Sequence, residues 1–93
     1  MGWDVTLTTD RDVTEADMDK IVTELPEGLR GHGGGKQTWG YSLAADVRLD
    51  TPREIRCSGS CTMSGHIAAG FCEAMARRLE RMGCKVVIGE MSV

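Results

Sequence analysis

Aromatic side chains are scarce in this chain, with one Phe, one Tyr and two Trp in 93 residues. Reading single-stranded RNA on a sheet face needs several aromatics presented together for the bases to stack on, so that class of function is disfavoured. Proline is scarcer still: Pro26 and Pro52 are the only two, and both fall where the apolar pattern breaks. No apolar run approaches the roughly 18 residues that span a bilayer. The opening M-G-W-D-V-T-L-T-T lacks the basic and apolar regions of a secretory signal. A cytosolic protein with four reduced cysteines is expected. Positive charge is not in excess either. The formal net charge is −3, which argues against generic binding to phosphate backbones. Neither His32 nor His66 has an evident nucleophile partner, and no acid–base pair stands at a recognisable spacing. The chain therefore reads as a non-catalytic protein without a cofactor.

What is present is strong alternation. Between Thr38 and Met63, apolar residues fall on nearly every odd position: Trp39, Tyr41, Leu43, Ala45, Val47 and Leu49, then Ile55, Cys57, Cys61 and Met63. A period of two is the strand signature, because successive side chains point to opposite faces. Asp50-Thr51-Pro52-Arg53 interrupts it with turn chemistry. The stretch predicts one antiparallel hairpin of a long strand 38–49 and a strand 54–63.

The flanks complete the pattern. Trp3, Val5 and Leu7 predict a first strand. Thr14 and Asp17 stand in capping-box spacing, Val13 and Met18 in staple spacing, and Met18, Ile21, Val22 and Leu25 make an apolar stripe. Pro26 and Gly28 end that helix, and a glycine-rich loop runs through 26–37. A second helix starts at Ser64-Gly65, carries Ile67, Phe71, Met75, Leu79 and Met82 on one face, and ends at Gly83. Residues 84–91 predict a last strand, and the run Val86-Val87-Ile88 suggests that it is well covered.

The order β-α-β-β-α-β predicts a single α+β domain over residues 1–93 with a ferredoxin-like architecture. Its four-stranded antiparallel sheet, in the order 4-1-3-2, carries two helices on one face. The strand 38–49 then lies at an edge, where it could pair with a second copy. The even positions make an open face: Asp4, Thr6, Thr8, Ser42, Ala44, Asp46, Arg48, Arg56, Ser58, Ser60 and Thr62.

Three sets of residues are candidates for function. Charge is uneven: residues 1–27 hold eight acids and two bases. Asp10, Asp12, Glu15, Asp17 and Asp19 crowd the first helix and its approach. Some of this complements the helix dipole; the rest offers a negative surface that would steer toward a basic partner, such as a nucleic-acid-binding protein. The second set is Arg30, His32 and Lys36 on the glycine-rich loop. That loop runs helix–loop–strand rather than the strand–loop–helix order of a phosphate cradle, so it reads as a contact loop. With Arg48 and Arg56 it supports an alternative, a small-ligand or nucleic-acid accessory domain. The third set is Cys57, Cys61, His66 and Cys72, with Cys84 or His32 in reserve, an alternative zinc site. On a strand, Cys57 and Cys61 lie roughly 13 Å apart, too far for one metal. His66 and Cys72, six apart on a helix, fall on different faces. Packed, reduced thiols are the plainer account.

The opening G-W-D-V-T-L-T and the closing run from S-G-S-C-T-M-S-G-H to V-V-I-G-E-M resemble small proteins of bacterial prophages and mobile elements. The resemblance carries no catalytic motif. It implies an accessory protein that acts by binding, as an adaptor or inhibitor.

Overall fold

The computed structural model describes residues 2–24, 38–42, 45–60 and 65–92, with backbone alone at 22–24, 38–42, 45 and 60. In chain order the elements are β1 (Gly2–Thr9), α1 (Glu15–Glu24), β2 (Thr38–Ser42), β3 (Ala45–Thr51), β4 (Glu54–Ser60), α2 (Gly65–Arg81) and β5 (Val86–Ile88). The sheet has five strands in the order β2-β3-β4-β1-β5, and every neighbouring pair is antiparallel. An antiparallel sheet with two helices places the chain in the α+β class.

One expectation is corrected here. Residues 38–49 are not a single long strand. They fold back, with Thr38 opposite Arg48, Trp39 opposite Val47 and Ser42 opposite Ala45, and the register shifts between Gly40 and Ser42. Periodicity of two is blind to such a reversal, because both arms of a hairpin alternate. Folding back also pairs the outer edge of β3, which would otherwise carry a row of unmatched backbone groups. The edge available on this side is therefore β2 alone, and residues 45–51 lie inside the sheet. β4 is described as far as Ser60, so the expected continuation to Met63 lies outside the described residues.

The last strand is also corrected. It spans only Val86–Ile88, and it is not well covered: Val87 is 68% exposed and Ile88 44%. The reason is position, since β5 is an edge strand with β1 as its one neighbour among the described residues. Beyond it the chain keeps to β1. The Gly89 N–H donates to the Thr6 carbonyl at 2.9 Å, and Asp4 and Ser92 exchange backbone bonds at 2.9 and 2.8 Å. A Cβ at Gly89 would stand 2.9 Å from that Thr6 oxygen, so glycine permits this approach.

Both helix-end signals are realised. The Thr14 hydroxyl accepts from the Asp17 N–H at 3.1 Å and the Asp17 carboxylate from the Thr14 N–H at 3.0 Å, a reciprocal capping box. Val13 and Met18 are both buried beneath it. At the end of α2, Gly83 has φ +94°; its N–H donates to Glu80 O at 2.9 Å, and the Cys84 N–H to Leu79 O at 3.1 Å. That is the Schellman pair of bonds.

The core lies on one side of the sheet. Trp3, Val5 and Leu7 of β1, Val47 and Leu49 of β3, and Ile55 and Cys57 of β4 meet Met18 and Ile21 of α1 and Phe71, Met75 and Leu79 of α2. The Trp3 and Phe71 rings meet edge to face, with centroids 6.3 Å apart. The buried stripe of α2 is Ala68, Phe71, Cys72, Met75, Ala76 and Leu79. Ile67, expected on it, is 54% exposed: the helix turns its alanines and a cysteine inward, where small side chains let it sit close. No helix among the described residues is long and apolar enough to cross a membrane.

Candidate functional site

The sheet's other side is built by the residues one step along from the core set. Ser58 lies between Asp46 on β3 and Asp4 on β1, and its hydroxyl donates to the Asp46 carboxylate at 2.7 Å. In the next row Arg56 lies between Arg48 and Thr6. Two guanidiniums directly opposite one another repel, and Asp50 resolves the conflict. One of its carboxylate oxygens takes Arg48 Nε at 2.9 Å and the other takes Arg56 Nη2 at 2.9 Å. The hydrogen bond and charge of Asp50 also raise Arg48 above the usual arginine range. Glu54, opposite Thr8, receives the Thr51 hydroxyl at 3.1 Å.

Four carboxylates (Asp4, Asp46, Asp50 and Glu54) thus share this face with two guanidiniums that already have a carboxylate partner. The described part of the face is flat, polar and net negative. Arg48 and Arg56, candidates for an anion or nucleic-acid contact, come together as expected, but they come together on Asp50. In the sequence Asp50 reads as a turn residue, and Arg56 reaches it only through the register of the folded hairpin.

The acidic flank stands on the connection between β1 and α1. Asp10 accepts the Lys85 N–H at 2.7 Å, and that bond holds its carboxyl below the usual aspartate range. Asp12 pairs with Arg53 Nε at 2.9 Å, both largely exposed. Asp17 belongs to the capping box. Glu15 and Asp19 are exposed on α1. Several of these acids therefore hold the joint between β1, the β3–β4 turn and the end of α2. Their charges still face solvent.

Of the cysteine set, Cys57 and Cys72 are brought together. They are buried between β4 and α2, with thiols in hydrogen-bonding reach. The Cys72 thiol, and then burial, push Cys57 well above the usual thiol range, while the Cys57 S–H draws Cys72 down. Nothing in the spacing of 57 and 72 announces this pair. His66 is exposed on the first turn of α2, apart from the buried pair. No group of three His, Cys, Asp or Glu among the described residues is arranged to hold a metal. Cys61 and the loop residues Arg30, His32 and Lys36 lie outside the described residues.

The chain matches no family model, no curated protein and no solved structure.

Proposed function

We propose that this is a small, non-catalytic protein-binding domain of adaptor or inhibitor type, which presents its acidic helix flank and open sheet face to a basic protein. One observation carries the reading. On the open face Asp4, Asp46, Asp50 and Glu54 outnumber two guanidiniums that share Asp50, so a net negative charge is left over. A surface of that sign raises the encounter rate with a basic partner and repels nucleic acid. Asp12, Glu15 and Asp19 are exposed on the helix flank and carry the same sign.

The proposal includes a cofactor-free, cytosolic protein of phage or mobile-element character. Its architecture is a ferredoxin-like β-α-β-β-α-β sandwich in which the hairpin of β2 and β3 stands where that fold has one strand.

The test is a tagged pull-down from bacterial lysate, with and without nuclease, repeated with Asp12→Lys/Glu15→Lys and with Asp4→Lys. The expected result is a basic protein retained after nuclease treatment, released by moderate salt and lost from the reversed variants. Retention indifferent to both reversals, or retention that disappears with nuclease, sinks the reading.

A further inference from the structure

An edge strand carries unpaired backbone groups that can pair with another chain. β5, three β-branched residues between Lys85 and Gly89, lies at an edge and leaves Val87 68% and Ile88 44% exposed. Its backbone has a definite polarity. The Asp10 N–H donates to Lys85 O at 3.2 Å and the Gly89 N–H to Thr6 O at 2.9 Å, while Thr8 stands opposite Val87. Hydrogen-bonded pairs alternate along an antiparallel ladder, so Val87 turns its N–H and C=O inward to β1. The N–H and C=O of Val86 and Ile88 then point outward, and they have no partner among the described residues.

We propose that the chain forms a two-fold dimer by antiparallel pairing of β5 with β5 of a second copy, making one sheet of ten strands. A second copy is the occupant because the edge is complementary to itself. With the axis at Val87, Val86 of each copy faces Ile88 of the other, and both residues offer outward N–H and C=O groups. Two such pairs supply four backbone hydrogen bonds. Val87 meets its own counterpart as a non-hydrogen-bonded pair with Cα atoms roughly 4.5 Å apart, which covers the most exposed apolar residue of the strand.

The experiment is sedimentation velocity of the full chain over a concentration series, with circular dichroism to verify folding of each variant. The wild-type chain is expected to sediment as a dimer. Val87→Lys sets two ammonium groups on the axis and is expected to sediment as a monomer. Val87→Asp sets two carboxylates there and should act alike. An equimolar mixture of the two variants sets opposite charges on the axis and should restore the dimer. Amide exchange at Val86 and Ile88 should be slow in the wild-type chain and fast in the Val87→Lys monomer. A wild-type monomer at the highest attainable concentration overturns the proposal. So does a dimer that ignores both Val87→Lys and Val87→Asp, since it would be built on another surface such as β2.

Discussion

On the helix side of β4 lie Ile55 and Cys57, both fully buried. One residue along in each case, on the other side, lie Arg56 and Ser58, half-exposed and bound to carboxylates. The same strand thus carries two kinds of order. Apolar side chains on the first side have van der Waals partners in every direction, so removing atoms there leaves a void. Charges on the second side hold one another in register at the boundary with water, where screening keeps each pair weak. Stability is concentrated on one side, and the freedom to vary chemistry, hence recognition, on the other.

The largest expected effect breaks this contrast within two adjacent positions. Ile55→Ala should cost about 2–5 kcal/mol, a fall in Tm on the order of 10–30 °C for a domain of this size. Arg56→Ala, its neighbour, should cost less than about 1 kcal/mol. Urea melts of the two variants check the pair, and similar losses would show that the open face is structural after all. Next in size is Gly83→Ala. It forces a side chain to φ +94° and sets a Cβ 2.9 Å from Arg11 Nη1, so a loss of about 1–2 kcal/mol is expected in the same melts. Thr14→Ala removes half of the capping box and should cost about 1 kcal/mol.

The thiols sharpen the comparison by chemistry rather than by stability. Alkylation of Cys57 and Cys72, read by peptide mass spectrometry, should be slow in the native chain and fast in denaturant, because both lie on the packed side. The smallest expected effect concerns Asp10. Its carboxyl is held below its unfolded value, so its contribution to stability is present above the unfolded value and is lost as pH falls through the folded one. The difference in stability between the wild-type chain and Asp10→Ala should therefore shrink on acidification. A difference that grows instead would mean that Lys85 N–H is not its main partner.

Local chemistry was the most legible part of the sequence. Thr14 with Asp17, and Gly83 after a long amphipathic run, are short-range signals, and the structure realises each within a few residues. The alternation of β1, β3 and β4 sorted core from open face for the same reason. The failures are all questions of neighbourhood. Leu43-Ala44 carries none of the Gly, Pro, Asn or Asp that usually marks a reversal, so the pairing of Ser42 with Ala45 left no sign. Val86-Val87-Ile88 reads as covered because composition alone does not show that Val87, opposite Thr8, falls on the open face of an edge strand. Ile67 was placed on the inner stripe by hydrophobicity, whereas close approach to the sheet favoured Ala68 and Cys72. Of the open face, the residues were legible. Their sharing of Asp50 was not, because it depends on a register that only the folded hairpin sets.

The position of β1 has a consequence for synthesis. It is made before β4 and β5, yet it lies between them, and its neighbours among the described residues exist only once residues 54–60 and then 86–88 are made. At the pace of a ribosome, roughly 5–20 residues per second, Trp3, Val5 and Leu7 wait for seconds with neither strand partner in place. Chaperones that meet the emerging chain would find an apolar target in those three side chains, which end buried within the sheet's core.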